Sequence, residues 1–255
     1  MDRQDPTGAR PTILLTRPAV QSARFAARLT DLLGADVRIV VSPVLDIMPD
    51  PDAAADALSR AGSVLFTSEN AVAACARPAA AMTAFCVGPR TAEAAQAKGF
   101  RTETGPGDAL GLTAMMKARG SQGHEAPLIH LRGAHVSGDI VGWLAEAGLP
   151  IEGVVVYDQR ARPLSPAAQT LLRSRNAVIV PIFSPRTARL LAPELAQARA
   201  SLRIAAISPA VAAHVPVHSA AGTVIAAEPD ADAMLAAIRR LWENACFLED
   251  KDNAG

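Results

Sequence analysis

Tyrosine occurs once in these 255 residues, tryptophan twice and phenylalanine six times. So few aromatics exclude the interleaved aromatic and basic surface that a single-stranded nucleic acid requires. Neither sign of charge dominates: 25 basic side chains balance 25 acidic ones. That balance removes any general attraction to nucleic acid or to an anionic membrane. Half the residues are hydrophobic, yet no apolar stretch approaches the roughly 18 residues of a membrane span. Met1 to Arg10 mixes acid and base and does not read as a signal peptide. Cys75, Cys86 and Cys246 lie far apart with no CxxC pair, which argues against both a disulfide framework and a zinc site. The expectation is a soluble cytoplasmic protein.

What the chain does have is a phrase that occurs twice. Val64-Leu65-Phe66-Thr67-Ser68 is an apolar run that ends in hydroxyls, and Phe85-Cys86-Val87-Gly88-Pro89 follows it. Far downstream, Val178-Ile179-Val180-Pro181-Ile182-Phe183-Ser184-Pro185 is followed by Ile204-Ala205-Ala206-Ile207-Ser208-Pro209. Each run reads as a buried strand that stops where a helix begins. Phe25, Leu29, Leu32 and Leu33 share one face of a helix that Gly34 terminates. Asp108, Ser165 and Asp230 are placed to cap further helices. Strands alternating with helices imply parallel sheets covered on both faces, and about ten candidate strands suit two sheets better than one.

Val37 to Ile47 and Ile151 to Arg160 are β-rich and stand apart from this rhythm. Paired, they would carry the chain out of one domain and back. The expected division is 1–38 with 161–255 as a discontinuous first domain and 46–150 as the second. Residues 39–45 and 151–160 would connect them.

Helix starts offer unpaired N–H groups and a positive dipole end, which suit carboxylate or phosphate. Arg17-Pro18, Ser68, Gly88-Pro89, Ser184-Pro185 and Ser208-Pro209 are all such starts, and in open parallel sheets they gather on the ligand-binding edge. Plain helix capping is the competing reading of each.

Other chemistry fails on spacing. Gly105-Pro106-Gly107-Asp108-Ala109-Leu110-Gly111 has its third glycine one residue late for a dinucleotide fingerprint and reads as a turn into a helix. No phosphate-loop run of GxxxxGK[ST] occurs. His124, His130, His135, His214 and His218 lack metal-ligand spacing, and His130 reads as a structural histidine within a strand. Ser68 and Ser184 lack the GxSxG elbow of a hydrolase. Either the protein only binds a ligand, or it catalyses mainly by shaping a reactive one.

Thr16-Arg17-Pro18, Phe66-Thr67-Ser68-Glu69-Asn70-Ala71-Val72, Val87-Gly88-Pro89-Arg90-Thr91-Ala92, Leu131-Arg132-Gly133, Val156-Tyr157 and Phe183-Ser184-Pro185 occur in the order seen in uroporphyrinogen-III synthases. The chain resembles that family from about Ile13 to Leu241. The resemblance implies two flavodoxin-like domains joined by a two-stranded connection, with an active site in the cleft between them. It also implies closure of the linear tetrapyrrole hydroxymethylbilane to uroporphyrinogen III, with ring D inverted and water lost. It implies no metal and no organic cofactor, and the substrate's eight carboxylates fit the helix-end reading.

Under that resemblance Tyr157 matches the family's tyrosine and would donate a proton to the leaving water; packing at a domain hinge is its alternative role. Ser68, Asn70, Gly88, Thr91, Ser184 and Ser208 would contact substrate. Arg17 and Arg132 would pair with its carboxylates, a surface or interdomain ion pair being the alternative for each. Ser208-Pro209-Ala210-Val211 departs from the family's Gly-Pro-Thr-like turn, leaving that site to Ser208 and backbone amides. The implied partners are the tetrapyrrole and, transiently, the enzyme that makes it, with the protein a monomer binding neither nucleic acid nor membrane. A non-catalytic two-domain protein closing on an anionic metabolite is the rival reading.

Overall fold

The computed structural model describes residues 10–120, 127–136, 138–216 and 220–252, with side chains described except at 217–221 and beyond 245. His124, His218, the Cys246 side chain and the polar N-terminal residues 1–9 therefore lie outside the described residues. The chain divides into two compact units, Met1–Asp46 with Ala161–Gly255, and Ile47–Arg160.

The first unit is built on β1 (Thr12–Leu15), α1 (Ala19–Leu33), β2 (Arg38–Val41), α7 (Pro166–Arg173), β9 (Ala177–Ile182), α8 (Pro185–Ala196), β10 (Ser201–Ala206), α9 (Pro209–Ala212), β11 (Ala220–Ile225) and α10 (Ala231–Asp252). Its sheet has the order β11-β10-β9-β1-β2, and every pair in it is parallel. Adjacent strand residues point to opposite faces, so each strand feeds two cores. Leu14, Val178, Val180, Leu202 and Ile204 pack with Ala168, Leu172, Ala188 and Leu191 of α7 and α8. Ile13, Leu15, Ile179 and Ala205 pack on the other side with Phe25 and Leu29 of α1 and Met234, Ile238 and Trp242 of α10. Burial on both faces is why these strands read as unbroken apolar runs.

The second unit contains α2 (Pro51–Arg60), β4 (Ser63–Phe66), α3 (Glu69–Ala74), β5 (Thr83–Cys86), α4 (Pro89–Ala97), β6 (Arg101–Thr104), α5 (Ala109–Arg119), β7 (Leu128–Gly133) and α6 (Ile140–Ala145). Two further strands, β3 (Leu45–Pro49) and β8 (Ile151–Ala161), cross the unit boundary. The sheet order is β3-β8-β7-β4-β5-β6, parallel from β8 to β6. Val64, Phe66, Ala84, Cys86, Ile129 and Leu131 form one core with α2, α3 and α4. Leu65 and Phe85 form the other with Leu112, Met116, Ile140 and Leu144.

Two details differ from the expected pattern. Residues 37–47 form two strands, because Pro43 cannot donate a ladder bond; Ser42 and Val44 instead donate to the Leu15 and Thr16 carbonyls at 2.8 and 3.2 Å. β2 joins the first sheet and β3 pairs with β8. The Val44 carbonyl accepts from Arg162 N–H at 3.0 Å and the Val156 carbonyl from Asp50 N–H at 2.8 Å, so β3 and β8 run antiparallel. Leu32 is exposed; α1 turns Phe25 and Leu29 inward, and Gly34 (φ 95°) ends it. Asp108, Ser165 and Asp230 accept hydrogen bonds from the first turns of their helices as expected. No helix among the described residues is long and apolar enough to cross a membrane.

Candidate functional site

Each sheet has one place where consecutive crossovers turn to opposite sides, the switch point at which open parallel sheets bind their ligands. In the first unit it lies between β1 and β9, since the chain goes from β1 to β2 on one side and from β9 to β10 on the other. The β1–β9 ladder ends at Ile13 and Ile179, short of Pro181, which has no N–H to give. Arg17 follows β1 and Phe183-Ser184 follows β9. The Arg17 guanidinium carbon stands 4.1 Å above the Phe183 ring, and Phe25 supports that ring edge-on at 5.0 Å. A cation held over an aromatic face keeps its charge while losing freedom. Ser184 caps α8, accepting from Thr187 N–H at 3.1 Å and donating to the Thr187 hydroxyl at 3.0 Å. Ser208, at the next strand end, makes no side-chain cap to the four-residue α9.

In the second unit the corresponding switch point lies between β4 and β7. Ser68 follows β4 and accepts from Asn70 N–H at 3.1 Å, so its hydroxyl serves the short α3. Gly88 is buried at the start of α4. A Cβ there would come within 3.2 Å of the Gly107 backbone, because the Val87 carbonyl accepts from Gly107 N–H at 2.7 Å. Thr91, 5 % exposed, lies in the first turn of α4. Arg132 donates to the Gly133 carbonyl at 3.1 Å.

Tyr157 is positioned by an irregularity. Arg132 pairs with Val155, but Gly133 pairs with Tyr157, so Val156 is an extra residue. Such a bulge breaks the alternation of faces. Val156 and Tyr157 are accordingly both buried, at 0 % and 5 %. The phenol lies across Gly133: a Cβ on that residue would stand 2.6 Å from Cζ and 2.8 Å from the hydroxyl oxygen. Only a glycine leaves room for the ring.

His130 points from β7 into the protein, 2 % exposed, with Nε2 3.1 Å from the Thr67 hydroxyl. Burial, helped by the charge of Arg132, pulls its pKa from 6.5 down to about 4. The unfolded chain therefore binds a proton between those values that the folded chain refuses. Stability is unaffected above pH 6.5 and falls as pH drops from 6.5 towards 4. His130→Gln, which does not titrate, should remove about 2 kcal/mol of the loss between pH 7.5 and 5 in urea unfolding. An unchanged acid loss would show that His130 does not carry it. Burial also pushes Cys75 up to about 11 and Cys86 to about 12, which leaves neither thiol as a nucleophile at neutral pH. Among the described residues no three His, Cys, Asp or Glu side chains converge as a metal site.

The structure thus assembles Arg17, Ser184 and Ser208 along one sheet edge and Ser68, Asn70, Gly88, Thr91, Arg132 and Tyr157 along the other. Thr67, His130, Phe183 and Gly133 join these candidates only once the strands are placed side by side; sequence alone does not mark them. A family model described as uroporphyrinogen-III synthase HemD matches residues 24–236. The chain belongs to the uroporphyrinogen-III synthase family. The match spans both units and every candidate residue named above except Arg17. The fold is similar to that of a uroporphyrinogen-III synthetase from Helicobacter pylori, with a TM-score of 0.59 and 15 % identity over 91 % of this chain and 100 % of that one. It is also similar to a mutant uroporphyrinogen III synthase from Thermus thermophilus, with a TM-score of 0.50 and 14 % identity over 91 % and 99 % of the two chains. No curated protein matches the chain at a significant level. At such identities the solved structures establish the family's two-sheet fold, and the family match establishes membership.

Proposed function

We propose that this chain closes hydroxymethylbilane to uroporphyrinogen III, inverting ring D and releasing water, as a step of haem biosynthesis. The observation that carries this reading is the family match across residues 24–236. It is tested by supplying freshly generated hydroxymethylbilane, oxidising the products and separating uroporphyrin isomers I and III. Isomer III that appears only with the protein supports it; isomer I alone, from folded protein, overturns it and returns the chain to the class of anion-binding proteins.

The chemistry asks little of the protein in charge. The hydroxymethyl C–O bond breaks, its oxygen leaving as water with a proton from a donor. The resulting azafulvenium cation is attacked by the substituted carbon of ring D, and the spirocyclic intermediate fragments and recloses with that ring reversed. The closing pyrrole carbon then loses a proton, which restores the donor. Unassisted closure gives the uninverted isomer, so the protein's main task is to hold the reacting atoms together.

In this reading Tyr157 is the donor, fixed by the bulge and by Gly133. Arg17, stacked on Phe183, and Arg132 face carboxylates. Ser68, Asn70, Gly88, Thr91, Ser184 and Ser208 supply amides and hydroxyls at the two sheet edges. Ser68→Ala and Thr91→Ala are each expected to lose about tenfold or less in isomer III formation, a single hydrogen bond contributing about 1 kcal/mol. A complete loss with normal folding would assign direct chemistry to that hydroxyl. The protein acts as a cytoplasmic monomer that takes its short-lived substrate from the enzyme that forms it. That arrangement fits a substrate which closes by itself in solution.

A further inference from the structure

His130 sits in β7 between the apolar residues Ile129 and Leu131, wholly enclosed in the second unit. Its Nε2 lies 3.1 Å from the Thr67 hydroxyl, and its Nδ1 is buried with no hydrogen-bond partner among the described residues. Two arrangements of protons satisfy that contact. If the Thr67 hydroxyl donates to Nε2, the ring proton must sit on Nδ1, a buried N–H with nothing to receive it. If Nε2–H donates to the Thr67 oxygen, Nδ1 is a bare lone pair and the Thr67 proton is released. Orphaned buried N–H groups are the rarer of the two in folded proteins. A doubly protonated ring is opposed by burial and by the positive charge of Arg132. The proton is therefore assigned to Nε2.

Thr67 is left with its oxygen bound from within and its own O–H free to turn away from His130. It is partly exposed, one residue beyond the end of β4. The last paired residues of the β4–β7 ladder are Phe66 and Leu131, so Thr67 and Arg132 come next on neighbouring strands at the switch point of the sheet. A hydroxyl committed to donating, on the strand beside a cation, suits a carboxylate.

We infer that His130 is a positioning residue that fixes Thr67 as a hydrogen-bond donor to a carboxylate of the substrate. The inference rests on the tetrapyrrole reading above. It gives the buried histidine a function that a neutral core residue of equal volume would not supply: His130 never contacts the ligand but decides which way a hydroxyl beside it donates. The same side chain in its other tautomer would consume the Thr67 proton and present an acceptor towards an anion.

The test is steady-state isomer III kinetics on four variants, with thermal unfolding measured on each. Thr67→Val and His130→Leu should each raise KM about tenfold with kcat little changed, as expected for a lost hydrogen bond to a charged group. His130→Gln carries an N–H at similar reach and should restore KM to within about twofold of wild type, whatever its melting temperature. The double variant Thr67→Val/His130→Leu should be no worse than Thr67→Val alone, because the two act through one contact. A His130→Leu protein that melts lower but keeps its KM would overturn the inference, as would additive effects in the double variant. Should His130→Leu fail to fold, a wild-type KM in Thr67→Val or a tenfold rise in His130→Gln overturns it equally. Wild-type protein that forms no isomer III would instead defeat the tetrapyrrole reading itself.

Discussion

Gly133→Ala is expected to lower the melting temperature by several degrees and to slow isomer III formation by about two orders of magnitude. The added Cβ would lie 2.6 Å from Cζ of Tyr157 and 2.8 Å from both Cε2 and the hydroxyl oxygen, well inside contact distance. Gly133 has no left-handed backbone to protect, so space alone decides the outcome. The ring cannot swing into solvent to relieve the overlap: Tyr157 is 5 % exposed and packs in the core with Leu131 and Val156. Overpacking of this kind costs about 1–3 kcal/mol, or roughly 2–4 °C per kcal/mol for a protein of this size. Under the proposed donor role of Tyr157 the rate should suffer more than stability, since a misplacement of about 1 Å at a reacting group can cost roughly a hundredfold. Thermal scans and isomer-resolved kinetics measure the two effects separately. Adding Gly133→Ala to a Tyr157→Leu protein, in which the long phenol is gone, should change the melting temperature far less. A Gly133→Ala protein with wild-type melting and wild-type rate would show that the ring has slack and that the glycine does not hold it.

The strand and helix order was legible because parallel strands buried on both faces are written as apolar runs, and their ends as Ser-Pro or Gly-Pro. Val178 to Ile182 followed by Ser184-Pro185 is such a sentence, and β9 and α8 follow it closely. What could not be read were features that depend on a neighbouring strand. The bulge opposite Gly133 exists only in the pairing of β7 with β8. Before that pairing is known, Val156 and Tyr157 look like any two strand residues that should face opposite ways. His130 reads as structural because its neighbours are apolar, which is correct for its burial. Its link to Thr67 spans 63 residues and leaves no local trace. Phe183 likewise reads as one more apolar residue until β1 and β9 are placed side by side and Arg17 is found over its ring. Ser68 and Ser184 show the opposite case: the cap that the sequence suggests is made, so any substrate contact by those hydroxyls must share them with the backbone.

Tyr157→Phe is expected to have the largest effect on the reaction and almost none on the fold. The substitution keeps the ring that covers Gly133 and packs against Leu131 and Val156, removing one hydroxyl. A positioned general acid contributes roughly 10²–10⁴-fold, so under the proposed donor role isomer III formation should fall by at least the lower figure. The product mixture should change too. Hydroxymethylbilane that waits on a slowed enzyme closes by itself without inversion, so isomer I should rise at a fixed amount of protein. Melting within about 1 kcal/mol of wild type would separate lost chemistry from lost structure. Gly133→Ala is the natural companion, because it retains the hydroxyl and displaces it. Loss in both variants is what a donor held in place by its glycine would give. Wild-type turnover in Tyr157→Phe with loss in Gly133→Ala would mean that the ring's shape matters and its proton does not, and the donor would then have to be sought elsewhere along the sheet edge.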